Sequence, residues 1–156
     1  MPVYQLIKKQ KLPISIDEAW DFISSPKNLK VITPDYMGFD ILTKDIPEKM
    51  YPGMIISYIV TPVLSIKTGW VTEITHVKDL EYFVDEQRVG PYSIWHHEHF
   101  IEEIEGGVLM TDILTYKPPF GIIGRIANSL FIKNKIDEIF TYRENKLNEL
   151  FGSYPL

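Results

Sequence analysis

The chain has 156 residues, the size of one domain, and a single domain of that length hides about 70% of its surface on folding. Sixteen basic against twenty-one acidic side chains give a net charge of −5, the wrong sign for a protein that binds by neutralising phosphates, which excludes nucleic acid as the expected partner. With no cysteine, disulfides, thiolate nucleophiles and Cys-bearing zinc or iron–sulfur sites are excluded, and any metal would need His and carboxylates. Aromatic residues reach 13%, from three Trp, nine Tyr and eight Phe, a heavy load of rings for an otherwise ordinary composition.

The N-terminus enters Val3-Tyr4-Gln5-Leu6-Ile7 with no basic stretch or apolar signal core ahead of it, so a cytoplasmic location is expected. Mixed β-formers and lysines from Val3 to Leu12, bounded by Pro13, predict a first strand with one wetted face. Ser15-Ile16-Asp17-Glu18 has the spacing of a capping box, and Ala19, Trp20, Phe22 and Ile23 give the helix that follows its buried side. Ser25 before Pro26 starts a second short helix through Leu29 and Ile32, stopped at Pro34.

Beyond Pro34 the period changes, and strands are expected near residues 37–42, 54–61, 66–77, 81–88, 92–104 and 108–116. Pro47, Pro52-Gly53, Pro62, Gly90-Pro91 and Gly106-Gly107 fall in the gaps, and short connections between consecutive strands favour an antiparallel meander. After Pro118-Pro119 a helical segment runs from about residue 121 to 151, with Ile123, Ala127, Leu130, Ile136, Phe140, Leu147 and Phe151 at helical spacing and a break expected near Asn134. Its most apolar part, residues 120–132, is interrupted by Arg125 and Asn128 and is too short to span a bilayer. There is no repeat or linker, so residues 1–156 are read as one domain.

The informative stretch is Trp95-His96-His97-Glu98-His99-Phe100. With Gly106-Gly107 as a two-residue hairpin turn, Ile101 lies opposite Asp112, His99 opposite Leu114 and His97 opposite Tyr116. One face then collects Trp95, His97, His99, Ile101, Met110, Asp112, Leu114 and Tyr116, and the more polar face carries His96, Glu98 and Glu102. The first set is assigned inward. In the preceding strands Ile66, Trp70, Thr72 and Ile74 share the inward face, as do Phe83, Asp85 and Gln87 in the next. A buried imidazole bonded to a nearby Asp or Tyr is commoner than one that touches a ligand. The grouping of two imidazoles, carboxylates and rings on one face is what points to a cavity with a polar lining.

The order of strand, two short helices, meander and long C-terminal helix resembles the helix-grip fold of the START/Bet v 1-like (SRPBCC) superfamily over essentially the whole chain. Leu12-Pro13, Glu18, Trp20, Phe22, Pro26, Asn28-Leu29, Thr33-Pro34, Trp70 with Thr72, Asp85-Glu86-Gln87, Gly90-Pro91 and Trp95/His97/His99 resemble a bacterial ligand-binding or polyketide cyclase/dehydrase-like subgroup. Asp112, Tyr116, Pro119, Gly121, Ile139-Phe140 and Tyr142-Arg143 extend the likeness. It implies an α+β fold, a curved antiparallel sheet of six or seven strands around the last helix. It further implies a cavity between them for a lipid, polyketide, sterol or quinone-like molecule, and no cofactor.

Four readings follow. A carrier or sensor would bind a hydrophobic small molecule through Trp70, Thr72, Phe83, Asp85, Gln87, Trp95, His97, His99, Met110, Asp112, Leu114 and Tyr116, with Ile123, Ala127 and Leu130 contributed by the last helix. A cyclase, dehydratase or isomerase would use His97 or His99 with Asp112 as acid and base. Metal ligation by His-x-His and a carboxylate ranks third, and Ser57, Ser65 and Ser93 lack the context of a nucleophile. An interaction module with a collapsed pocket would show an interior too small for a drug-sized ligand.

Overall fold

The computed structural model describes residues 2–61 and 67–155. Strand β1 (Tyr4–Leu12) leads into helix α1 (Ile16–Ile23) and two 3-10 turns (Pro26–Leu29 and Asp35–Met37). Six strands follow: β2 (Asp40–Ile41), β3 (Met54–Val60), β4 (Thr68–Lys78), β5 (Tyr82–Val89), β6 (Ile94–Ile104) and β7 (Gly107–Lys117). Helix α2 (Gly121–Ala127), one wide π-type turn (Asn128–Ile132) and helix α3 (Lys133–Phe151) complete the chain. The seven strands form one sheet in the order β1-β7-β6-β5-β4-β3-β2, with every pairing antiparallel. This is the helix-grip α+β architecture. The turn at Pro62, Ser65 and the inward placement of Ile66 lie outside the described residues.

Local chemistry accounts for the helix starts. The Ser15 side chain accepts a hydrogen bond from Glu18 N at 3.2 Å and caps α1, which buries Ala19, Trp20 and Ile23 against the sheet. The expected strand at residues 37–42 is shorter than its β-formers suggest. Met37 closes a 3-10 turn and its carbonyl accepts Thr61 N at 2.7 Å, so only Asp40 and Ile41 pair with β3.

The β6–β7 register differs from expectation by two residues. The hairpin loop is Glu105-Gly106, with Gly106 at φ 77°, and Ile104 pairs with Gly107. Gly107 belongs to β7, where a Cβ would stand 2.0 Å from Leu12 O, so a bare Cα is needed for β7 to close on the end of β1. His99 therefore faces Asp112, His97 faces Leu114 and Ile101 faces Met110. A shift of two leaves each side chain on its face, because alternation in a strand has period two. His97, His99, Ile101, Met110, Leu114 and Tyr116 are all buried.

Curvature comes from β4, whose register with β5 slips between Val71 and Thr72 and again between Ile74 and His76. The bend turns Trp70 toward the centre, where it stacks on Tyr58 (centroids 6.1 Å, 16°) and meets Trp95 edge-on (5.1 Å, 89°). Each such ring pair contributes about 0.5–1.5 kcal/mol beyond its buried area. Gln87 does not reach the interior; its amide donates to Tyr92 O at 2.6 Å and its carbonyl oxygen accepts Tyr92 N at 3.1 Å. That clamp folds the β5–β6 connection so that the Tyr92 ring joins Trp70 and Trp95.

The last helical segment also differs from the periodic reading. The irregularity falls at Asn128–Ile132 rather than near Asn134, and Asn128 is buried with its side-chain oxygen accepting Tyr116 OH at 3.0 Å. Beyond it Ile136, Phe140 and Leu147 are buried as their spacing implies. Before it the polarity is reversed, since Ile123 and Leu130 face solvent while Gly124 and Asn128 are buried. Among the described residues no helix is long and apolar enough to cross a membrane.

Candidate functional site

Between the concave face of the sheet and α3 lies a cavity of about 130 Å³. Met50, Ile56, Tyr58 and Val60 form one wall, and Ile132, Ile136, Ile139 and Phe140 form another. Of the residues singled out in the sequence, Trp70, Thr72, Phe83 and Trp95 line it, as do Asp85, His97 and His99. Met110 and Leu114 are packed into the core, Tyr116 is tied to Asn128, and Gln87 is tied to Tyr92. Asp112 stands behind the imidazoles, on a shallow depression shared with Lys8, Gln10 and Arg143. Ile123 and Leu130 point to solvent, and Ala127 is half-buried beside them.

The polar side of the cavity is a four-membered ring of groups generated by strand pairing. β6 supplies His97 and His99 two residues apart, β5 supplies Asp85 opposite His97, and β7 supplies Asp112 opposite His99. His97 Nε2 lies 2.9 Å from Asp112 Oδ1, and His97 Nδ1 lies 3.7 Å from Asp85 Oδ2. His99 Nε2 lies 2.8 Å from Asp85 Oδ2, and His99 Nδ1 lies 2.8 Å from Asp112 Oδ1. Arg143, one helical turn after Phe140 on α3, brings Nη1 to 3.3 Å from the same Asp112 oxygen. The imidazoles pack on each other at 3.8 Å between centroids, and the His99 ring stacks on Phe83 at 4.1 Å.

The electrostatics follow from these contacts. Burial alone would raise both aspartates. For Asp112 the hydrogen bonds from His97 and His99 and the Arg143 charge outweigh it and hold the carboxyl well below its usual range. For Asp85 the bond from His99 and the charges of His97, His99 and Arg143 do the same. His97 moves the other way: burial first, then the neighbouring His99 charge, push it down to about 4 against the pull of both aspartates. In His99 burial opposes the charge, but contacts with Asp112 and Asp85 overcome it and raise the imidazole. An ionised carboxylate only accepts, so His97 is the neutral Nε2–H tautomer and His99, with a carboxylate at each nitrogen, is an imidazolium. Two aspartates, one arginine and one imidazolium make the cluster neutral, as burial requires.

A second polar patch, Tyr58, Thr72 and Trp70, also lines the cavity. Thr72 Oγ1 accepts from Trp70 Nε1 at 3.1 Å and shares a 2.6 Å hydrogen bond with Tyr58 OH. Burial and the Asp85 charge push the Tyr58 hydroxyl far above its ordinary value, so it stays a neutral donor. Tyr58 was not singled out in the sequence, although the alternation of β3 places it on the buried side. Phe140 was placed on the helical stripe, Arg143 was noted only as part of a resemblance, and their i, i+3 spacing is the signal that would have put both on one face of α3. For a metal, Asp85, His97 and His99 are the group among the described residues whose donor atoms converge, all within 4.8 Å of one another.

No family model and no curated protein matches this chain. Solved structures do match in shape. The protein TTHA0849 from Thermus thermophilus covers 94% of this chain and 99% of its own at 12% identity and a TM-score of 0.66. CV1439 from Chromobacterium violaceum covers 96% and 98% at 10% identity and a TM-score of 0.70. Ara h 8.0201 covers 95% and 99% at 14% identity and a TM-score of 0.57. With sequences this divergent the likeness is one of backbone, and it shows that the chain shares its helix-grip fold with these structures.

Proposed function

We propose that the protein binds a small hydrophobic organic molecule between the sheet and α3, as a carrier or sensor, with the His97–Asp112 side orienting its polar end. The observation that carries this reading is an apolar and aromatic cavity with convergent polar groups on one wall, the usual composition of a small-molecule site. Arg143 Nε adds to it, being buried without a hydrogen-bond partner among the described residues, a donor that a ligand oxygen would satisfy. A volume of about 130 Å³ has room for roughly four water molecules at about 30 Å³ each and lies below the roughly 300–1,000 Å³ of drug-sized sites, so by size the interaction-module reading keeps some support and a bound molecule must be small. That favours a ligand of one or two rings, or one segment of an acyl chain, over a whole sterol.

The cyclase, dehydratase or isomerase reading gains less support. It needs an imidazole that titrates near neutrality with a free lone pair, whereas His99 is committed to two carboxylates and His97 is pushed down to about 4 by burial. Binding without chemistry is therefore the preferred function.

Native mass spectrometry of the protein isolated from its own source should show a bound species of defined mass. Titration with the dye 4-nitrophenol, a single ring with one polar end, should quench the emission of Trp70 and Trp95, both at the cavity wall. Ile139→Trp, at a half-buried lining position, should fill the space and weaken dye binding at least ten-fold with little change in melting temperature. Undiminished binding in that variant would place the dye elsewhere and remove the case for the cavity.

A further inference from the structure

The geometry points to a divalent transition-metal site formed by Asp85, His97 and His99 on the cavity side of β6. Three observations converge. The donor atoms His97 Nδ1, His99 Nε2 and Asp85 Oδ2 face one another, with Asp85 Oδ2 at 3.7 Å and 2.8 Å from the two nitrogens. A metal with bonds of about 2.0–2.2 Å spans donors up to about 4 Å apart, so it needs the 2.8 Å Asp85–His99 contact widened and the two imidazole nitrogens, within 4.8 Å of each other, held in bonding range. The remaining nitrogen of each imidazole meets the same oxygen, Asp112 Oδ1, at 2.9 Å and 2.8 Å. That is the outer carboxylate that fixes ring orientation and raises ligand basicity in metal sites. Finally, Asp85, His97 and His99 line the cavity and Asp112 does not, so the inner and outer ligands separate by side, with the open positions turned toward the space.

Two imidazoles and a carboxylate suit Zn2+, Co2+ or Fe2+ over the oxygen-loving Mg2+ and Ca2+. Binding replaces the proton of the His99 imidazolium: the Nε2–H bond breaks, the nitrogen lone pair goes to the metal, and one proton leaves to solvent. With two aspartates and Arg143 the loaded cluster carries one positive charge, which matches an organic ligand bearing a carboxylate or enolate.

The test uses metal alone. Protein stripped with chelator and dialysed is titrated with CoCl2, followed by its visible d–d absorption and by calorimetry in two buffers of different ionisation enthalpy. One equivalent should bind with release of about one proton. Asp85→Asn, isosteric and without charge, should lose at least ten-fold in affinity, and Asp112→Asn about ten- to a hundred-fold. His99→Gln should abolish binding, with circular dichroism checking that each variant is folded. No saturation at millimolar cobalt, or wild-type affinity in Asp85→Asn, would overturn the proposal. Either result leaves the organic-ligand reading standing, since that is read with a dye in metal-free protein.

A different observation, the reversed polarity of α2, carries a second inference. Phe120, Ile122, Ile123, Ile126 and Leu130 are 80%, 66%, 71%, 56% and 69% exposed, while the same segment buries Gly124 and Asn128. An apolar face of that extent on a protein surface marks a docking site. Its charge identifies the partner: Lys117, Arg125 and Lys133 accompany it and no acidic residue occurs between Asp112 and Asp137, in a chain of net charge −5, whereas Lys135 is paired with Glu138 at 2.7 Å. We infer that this face docks on an anionic lipid surface, with the isoleucines and Phe120 in the acyl boundary and the basic residues at the headgroups.

Flotation with phosphatidylglycerol–phosphatidylcholine vesicles should recover the protein, with salt weakening the interaction, whereas pure phosphatidylcholine should recover little. The exposed double variant Ile122→Ser/Ile126→Ser and the charge reversal Arg125→Glu/Lys133→Glu should each reduce binding at least ten-fold. Equal recovery of either variant, no recovery of the wild type, or a concentration-dependent dimer in sedimentation that Ile122→Ser/Ile126→Ser dissociates would overturn it, the last by making a second copy the occupant.

Discussion

Asp112→Ala is expected to cost about 3–5 kcal/mol of folding stability, the range for removing one partner of a buried ionic cluster. Asp112 Oδ1 receives His97 Nε2, His99 Nδ1 and Arg143 Nη1 within 3.3 Å. Its removal leaves an imidazolium and a guanidinium beside one remaining carboxylate. A domain of this size has about 5–15 kcal/mol in total, so the variant should lose a fifth or more of its urea resistance, measured by circular dichroism. Asp112→Asn keeps an acceptor of the same shape and should lose less. The double variant with His99→Leu should cost less than the sum of the single ones, because the two side chains act on each other. A loss under about 1 kcal/mol in Asp112→Ala would mean that water solvates the cluster and that its groups do not depend on one another.

The same buried groups set the response to pH, to be read on metal-free protein in chelator. His97, pushed down to about 4 mainly by burial, stays neutral in the folded state where the unfolded chain takes a proton. Between about pH 6.5 and 4 the unfolded state therefore binds more protons, and stability falls with decreasing pH by on the order of 3 kcal/mol. Asp85 and Asp112, both lowered, stabilise the fold above the ordinary carboxylate range and lose that contribution as pH falls through their folded values. His99 has the opposite sign: its raised pKa gives a stabilisation complete below its ordinary value and lost as pH rises through the folded one. Melting temperature should accordingly peak near pH 6.5. His97→Gln, which can still donate to Asp112 but does not titrate, should flatten the acid limb. A wild-type melting temperature that is constant from pH 6.5 to 4.5 contradicts this assignment of protons.

These two results share a cause with the limits of sequence reading. That His97 and His99 face inward with aromatic rings follows from alternation along one strand, and it survived a register shift because the shift was even. The partner of each imidazole did not follow. Opposing His99 to Asp112 needed the hairpin loop to be Glu105-Gly106, which depends on the approach of Gly107 to Leu12 across β1, and opposing His97 to Asp85 needed the β5–β6 connection folded by the Gln87–Tyr92 clamp. Arg143 was legible as a helical residue next to Tyr142, but its contact with Asp112 spans 31 positions and exists only once α3 crosses the sheet.

Local periodicity, caps and turn residues were enough to determine an α+β fold, its element order and the buried face of most of its strands, since each of these is governed by neighbours within a few positions. Tertiary structure alone decided which side chains complete the polar ring, how much space the helix leaves above it, and that α2 turns its isoleucines outward. The physical reason is that cross-strand distance, cavity volume and helix rotation are set by close packing of segments remote in sequence. Around α2 the buried positions went to Gly124, close against Pro118 and Pro119, and to Asn128, bonded to Tyr116 on β7, although the α2 isoleucines have helical spacing suited to a buried stripe.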